Sequence, residues 1–390
     1  MPDFVETKAV EKGGRSAVHS RCLLRTIRNA IIAVTQDPAR IPSLDGLRAF
    51  SIALVLFAHT AGTAHFPSFV FLRRNLGNFG VRIFFVISGF LITTLLLNEL
   101  AKRGRISLKM FYLRRVFRIF PAAYAYLAVM TVLTALALVP LEWNDILHGF
   151  SYTTNYDRVR PWLTIHLWSL SVEEQFYMIW PAVLALAGRA LGLRVAASML
   201  LVAPLLRVVF SQWIPSLEWT IGSGFPTNAD ALAAGCLLAG YRAELWQRTA
   251  YRSVILSSWF WLLPAALLTM VLFLSAEGWF MEYVGYSVLN IGIAMTIDRC
   301  VRMPAGAVGK LLNSSPMVMV GVLSYSIYLW QEPFLNRLSN AWWTAFPVNL
   351  ILVAVCALAS YLLVEKPFLD LRKKIEKKVS RKTREAVAVA

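Results

Sequence analysis

The sequence predicts an all-α polytopic membrane protein with about ten transmembrane helices and both termini in the cytoplasm. Three observations predict it. Of 390 residues, 57% are hydrophobic and 16% charged, against about 45–50% and about 25% in soluble domains. Apolar runs of roughly 20 residues, long enough to cross a bilayer, recur from residue 44 almost to the end. The net charge of +17 is gathered into a few connections instead of being spread along the chain.

Each element follows in order. Residues 1–43 are polar and basic and carry no signal-peptide pattern. Within them, RCLLRTIRNAIIAV reads either as a short amphipathic helix on the inner leaflet or as a loosely ordered tail. The apolar segments centre near Leu54, Ile87, Met130, Phe176, Leu201, Ala234, Leu263, Leu289, Tyr325 and Val355. The connection ELAKRGRISLKMFYLRRVFR is strongly basic, as are YRAELWQRTAYR, RCVRMPAGAVGK and the tail beyond Pro367. An even number of spans puts all four on one side, with both ends, and the positive-inside rule makes that side the cytoplasm. The opposite loop SQWIPSLEWTIGSGFPTN has no lysine or arginine. The expected division is a basic extension (1–43), one membrane domain (44–368) and a basic tail (369–390) that touches anionic headgroups. Nucleic acid is a poor partner for a chain this apolar. The four cysteines, Cys22, Cys236, Cys300 and Cys356, have no paired spacing, so neither a disulfide framework nor a metal site is expected.

Ionisable residues inside spans are costly and mark candidate sites. In LDGLRAFSIALVLFAHT, Arg48 and His59 are eleven residues apart, close to three turns, so they share a helix face about 16 Å apart along the axis. Asp45 precedes them near the cytoplasmic end. In HLWSLSVEEQFYMIWP, Glu173 shares a face with His166, Ser169, Tyr177 and Trp180, while Glu174 points about 100° away. Glu173 is therefore the better working carboxylate, with His59 or an arginine as its partner. A polar clamp between helices is the alternative for either glutamate. In LRRVFRIFP, Arg115 and Arg118 suit either membrane anchoring or a phosphate ligand held bidentately. In GVLSYSIYLWQEP, Tyr325 and Tyr328 share a face, with Gln331 and Glu332 beyond them as belt residues or an acceptor pocket. Ser88 with Gly89, and Asn228 with Asp230, read as packing features.

LDGLRA followed by His59, then FFVISGFLI, RRVFRIFP, HLWSLSVEEQFYMIWP, SYSIYLWQEP and VEKPF, resemble the membrane acyltransferase 3 family, the O-acetyltransferases of bacterial surface and secreted glycans. The resemblance runs over about residues 43–370, and WSLSVEEQFY is its most specific block. It implies a ten-helix domain in the bacterial cytoplasmic (inner) membrane. It also implies acyl transfer from acetyl-CoA or another acyl-CoA, a co-substrate and not a bound cofactor, to a hydroxyl of an exported carbohydrate. His59 matches the family's essential histidine, Arg48 its first-helix arginine, and Arg115 with Arg118 its arginine pair. Two positions depart: Gln331 stands where many members have histidine, and Asn228 where many have arginine. No fused hydrolase-like domain, which some members carry, is expected.

The expected mechanism binds the acyl-CoA through Arg48, Arg115 and Arg118, with the phosphates on Arg115 and Arg118, and brings the thioester to His59. His59 takes the acceptor proton, Glu173 orients the imidazole, and tyrosine hydroxyls or Arg48 face the oxyanion. His166, Ser169, Glu174, Tyr177, Tyr325, Tyr328 and Gln331 would support the site or bind the acceptor. An acyl-histidine intermediate, a small-molecule acceptor such as a macrolide, and a transporter without chemistry are the competing readings.

Overall fold

The computed structural model describes residues 40–68, 70–274 and 278–389. The stretch RCLLRTIRNAIIAV and Cys22 lie outside the described residues. The described chain is helical, with no strand. In order, the helices are α1 (Leu44–Thr60), α2 (Val70–Arg103), α3 (Leu108–Ala135), α4 (Trp143–Phe150), α5 (Trp162–Ile165), α6 (Leu167–Gln212), α7 (Phe225–Gln247), α8 (Thr249–Leu256), α9 (Leu262–Phe273), α10 (Tyr286–Arg302), α11 (Ala307–Leu312), α12 (Ser315–Trp330), α13 (Val348–Ser360) and α14 (Lys366–Val389). A π-helical turn, Tyr361–Glu365, joins α13 to α14. Helices are what a bilayer demands, because lipid offers no partner for backbone N–H and C=O groups.

All ten apolar centres expected from the sequence lie within these helices. Phe176 and Leu201 both fall in α6, but α6 is broken at Gly188, whose φ of 70° and ψ of −179° are not helical. A Cβ added at Gly192 would lie 2.5 Å from Leu184 Cδ2 and 3.9 Å from Leu184 Cα. Eight residues of straight helix would separate the two by about 12 Å. The chain therefore turns back on itself at Gly188, where the positive φ favours glycine, and α6 makes two antiparallel passes. Among the described residues, four helical stretches are individually long and apolar enough to cross a membrane, or five if the bent pair Thr249–Leu256 and Ser258–Phe273 forms one span. The chain is a multi-pass membrane protein.

The core is a set of close helix crossings. The most extensive contacts join α2 to α7, α6 to α7, α1 to α2, and α1 to α12. At the α2–α7 crossing, a Cβ on Gly89 would meet Leu232 O at 2.0 Å, and one on Gly235 would meet Val86 O at 2.1 Å. Two glycines facing each other's backbone bring these helices together, the packing role expected of Gly89. This crossing fixes the height of α2 against the bundle, and so the positions of Val81, Phe85 and Ser88 in the site.

One end of the bundle collects the basic connections. Asp298 binds Arg242 (2.6 Å) and Arg302 (2.8 Å), tying α7 to α10. Leu312 lies against Gly46, and Asp45 binds Arg40 (2.8 Å) and Arg48 (3.5 Å). Arg114 reaches Glu376 of α14 (3.0 Å), and Arg118 lies 3.7 Å from Glu365.

Candidate active site

The α1 helix is continuous from Leu44 to Thr60, so the eleven-residue spacing of Arg48 and His59 translates directly into depth. Each opens into its own cavity. A cavity of about 120 Å³ at the basic end holds Arg48, Arg115, Arg118, Ser88 and Glu173, with Tyr325 and Tyr328 from α12. A larger one, about 390 Å³, holds His59, His166, Trp162, Trp168, Asn78, Glu332 and Arg337. Val81 and Tyr328 line both.

In the larger cavity, His59 Nδ1 stands 3.5 Å from Glu332 Oε1. Glu332 is fully buried, yet neither of its carboxylate oxygens has a hydrogen-bond partner among the described residues. A buried carboxylate needs a donor or a cation within reach, and the His59 ring stands beside it. Trp162 Nε1 donates to Glu332 O (3.0 Å), which fixes the carboxylate's backbone beside the histidine. The Trp162 ring also meets the His59 ring edge to face at 6.1 Å, and the Arg337 guanidinium lies over it at 4.8 Å. Gln331 lies against the imidazole as well.

The smaller cavity is cationic. Arg48 is shared with Asp45, and Arg118 with Glu365. Glu365 is itself held by the Ser326 hydroxyl. Arg115 sits over the Tyr177 ring (5.6 Å) and the Phe111 ring (5.7 Å), and its buried Nε has no hydrogen-bond partner among the described residues. Three guanidiniums around one cavity are an anion site in chemical terms.

Glu173 does not face His59. It accepts a 2.6 Å hydrogen bond from Ser88 Oγ, which in turn accepts from Tyr177 OH at 3.0 Å. The expectation that Glu173 orients the imidazole is thus replaced by Glu332. The reason is depth: Glu173 is seven residues beyond His166, about 10 Å further along the axis, so it shares His166's face but opens into the next cavity. Ser88, expected only to pack, is the hydroxyl that satisfies Glu173. Glu174 is buried with Oε1 unpartnered among the described residues. The next residue, Gln175, makes a reciprocal amide pair with Asn155 (2.9 and 3.2 Å), anchoring that loop to α6.

His166 and Ser169 do not support Glu173 either. The His166 carbonyl and Ser169 Oγ both engage Tyr328 OH, at 2.9 and 2.6 Å. The His166 ring stacks edge to face on Tyr328 and Tyr126, each at 5.5 Å. Tyr325 OH donates to Ile119 O (2.8 Å). Asp45 serves Arg40 and Arg48 at the rim. Asn228 and Asp230 belong to a separate buried cluster, in which Asp230 binds Arg207 and Ser287, and Arg82 donates to Asn228 at 3.3 Å. Sequence reasoning did not reach Trp162, Trp168, Asn78 or Arg337. Trp162 and Trp168 stand at helix starts, Arg337 in a loop and Asn78 within α2, and only their convergence on one cavity marks them.

A family model described as "Acyltransferase domain" matches residues 41–365. YrhL of Bacillus subtilis (strain 168), whose name assigns it provisionally to peptidoglycan O-acetylation, is 30% identical over 85% of this chain and 55% of its own. The O-acetyltransferase OatA of Staphylococcus aureus (strain NCTC 8325 / PS 47) is 26% identical over 85% of this chain and 57% of its own. The peptidoglycan O-acetyltransferase OatA of Listeria monocytogenes is 28% identical over 76% and 49%. The chain thus spans about half the length of the curated relatives it matches. No solved structure matches it. The family match begins just before α1, ends at the carboxylate that holds Arg118, and takes in every wall of both cavities: the chain belongs to this acyltransferase family.

Proposed function

We propose that this chain is a membrane-bound O-acyltransferase that moves an acetyl group from cytoplasmic acetyl-CoA to a hydroxyl of a cell-wall or exported glycan. The observation that carries the reading is the division of labour between the cavities: guanidiniums in one, a histidine–carboxylate pair among aromatic rings in the other. The basic end of the bundle is the cytoplasmic face by the positive-inside rule. Ten spans, with α6 counted twice, put both ends of the described chain on that face, and the membrane is the bacterial inner membrane.

In this reading, Arg115 and Arg48 hold the donor's phosphates, with Arg118 kept in place by Glu365. The pantetheine arm carries the thioester past Val81 and Tyr328 to His59. The acceptor enters the larger cavity, where Trp162 and Trp168 offer flat apolar faces and Asn78, His166 and Arg337 offer polar edges. Tryptophan faces with polar groups around them suit a sugar ring, apolar on its C–H face and polar at its rim. His59 takes the proton of the acceptor hydroxyl as its oxygen attacks the thioester carbonyl. The C–O ester bond forms, the C–S bond breaks, and His59 returns the proton to the departing CoA thiolate. Glu332 stabilises the imidazolium between these two transfers, the role a carboxylate plays in hydrolase triads. Arg337 is the cationic side chain at hand for the oxyanion.

The names of the Bacillus subtilis and Listeria monocytogenes relatives point to peptidoglycan as the acceptor. The test is to delete the gene in its source organism and complement with wild type or His59→Ala at equal expression. Ester-linked acetyl on exported glycans is then measured. Loss on deletion, with rescue by wild type alone, is expected. Unchanged acetylation in the deletion strain would exclude a glycan acceptor.

A further inference from the structure

A second set of buried charges lines neither cavity. It joins Arg82 of α2, Arg207 of the returning pass of α6, Asp230 of α7 and Asn290 of α10. Arg82 is 5% exposed and the other three are wholly buried. Asp230 Oδ2 accepts from Arg207 Nη2 and from Ser287 Oγ (2.7 Å). Arg82 Nη2 donates to Asn228 Oδ1 at 3.3 Å. Both guanidiniums share the Tyr286 ring, Arg82 at 3.7 Å and Arg207 at 5.7 Å from its centre. Asn290 lies three residues past Ser287 and four past Tyr286, which puts it on the same face of α10. We propose that Arg82, Arg207 and Asn290 hold one small monovalent inorganic anion, of the size and charge of chloride. The inference rests on these buried groups alone and is independent of which donor or acceptor the protein uses.

Charge is the first reason. The titratable groups facing Arg82 are Asp230, Arg207 and the Tyr286 phenol. Two guanidiniums therefore meet one carboxylate, and one positive charge is left over inside the protein. Asn228, the residue that Arg82 does reach, is neutral. The face of the Tyr286 ring attracts cations but carries no net charge. A buried ion without a counter-ion is costly. Hydrogen bonding is the second reason. Arg82 Nη1, Arg207 Nη1 and Asn290 Nδ2 are buried donors with no partner among the described residues, and Asp230 Oδ1 and Asn290 Oδ1 are acceptors in the same state. An anion accepts from the three donors, and a water beside it donates to the two oxygens. Water alone would meet the hydrogen bonds and leave the charge unbalanced, whereas an anion answers both. The burial of every wall residue restricts the ligand to a compact ion.

The test uses the full-length protein in nanodiscs, dialysed at length against sodium gluconate and then titrated with sodium chloride at constant ionic strength. The readout is the unfolding temperature. Wild type is expected to gain a few degrees and then saturate, because a ligand held only by the folded state stabilises it. Sodium bromide should act as chloride does. Arg82→Gln removes the surplus charge and keeps an amide against Asn228, so its unfolding temperature should be the same in both salts. Asn290→Asp places a fixed negative charge in the site. It should abolish the chloride response and make the protein as stable in gluconate as wild type is in chloride. Lys102→Gln, which removes an exposed cation at the basic end, should respond as wild type does.

Equal stability of wild type in the two salts would overturn the proposal and leave water as the ligand of the cluster. So would a full chloride response in folded Arg82→Gln or Asn290→Asp protein, or its loss in Lys102→Gln. If Arg82→Gln fails to fold, Asn290→Asp tests the same site by adding the missing charge instead of removing the surplus one.

Discussion

His59 Nδ1 lies 3.5 Å from Glu332 Oε1, across the gap between α1 and the loop after α12. The carboxylate is buried while the histidine keeps about a quarter of its side-chain surface exposed, 0% against 26%. A reactive imidazole open to a cavity, backed by a buried acid, is the arrangement a general base requires. Glu332→Gln should therefore lower acyl transfer by about 10²-fold or more, within the range of positioned acid–base catalysis. His59→Ala should abolish it, and adding Glu332→Gln to His59→Ala should cost nothing further, because residues acting as a unit are not additive. Steady-state kinetics on the three variants at equal folded protein checks this.

Arg115 and Arg118 should separate, although they are only three residues apart. Arg115→Ala should raise the donor KM by about 10- to 100-fold, the worth of a charge-assisted hydrogen bond, with thermal stability nearly unchanged. Arg118→Ala also removes the counter-charge of buried Glu365, so it should lower thermal stability as well. Adding Glu365→Gln should restore the stability but not the donor affinity. Thermal unfolding and donor titration on the same preparations distinguish the two effects.

The buried cluster of Arg207, Asp230, Ser287 and Arg82 should govern folding and not donor or acceptor affinity. Arg207 and Asp230 are both fully inaccessible, and breaking such a pair from one side costs about 3–5 kcal/mol. Asp230→Asn should therefore lower the unfolding temperature sharply, while any folded fraction keeps a wild-type KM for both substrates. A large change in KM with unchanged stability would put this cluster in the site.

Gly235 is where a single methyl should do most damage to the frame. Its Cβ would lie 2.1 Å from Val86 O and 2.5 Å from Phe90 N, both backbone atoms that cannot swing aside. Gly235→Ala should destabilise by about 1–3 kcal/mol or more, as overpacking does. Gly222→Ala, which meets nothing within 4 Å, should be neutral. Thermal unfolding of the two side by side measures the difference.

Much of this was legible in the sequence, and what was not has a physical reason. Helix arithmetic put Arg48 and His59 on one face three turns apart, because α1 is one uninterrupted helix. The same arithmetic put Glu173 on His166's face but said nothing of which cavity lay at that depth, so it paired His59 with the wrong glutamate. The partner, Glu332, comes from the far end of the chain, and only the packing of α12 against α1 brings it in. Ser88 looked like a small packing residue because its neighbour Gly89 is one. Its hydroxyl acts across the interface on Glu173, a contact no local pattern encodes. Trp162 and Arg337 follow no helical period. The return at Gly188 was hidden inside one long apolar run, although the spacing of Phe176 and Leu201 as separate centres already required a turn between them.

Transfer across the membrane, from arginines on one side to His59 on the other, can be followed in proteoliposomes of uniform orientation. Acetyl-CoA is supplied only to the basic face and peptidoglycan-derived oligosaccharides are enclosed on the other. Free CoA is expected in the donor compartment and O-acetyl ester in the acceptor compartment, in equal amounts, and neither with His59→Ala. Ester formed only when donor and acceptor share a compartment, or acetylation that survives His59→Ala, would contradict it.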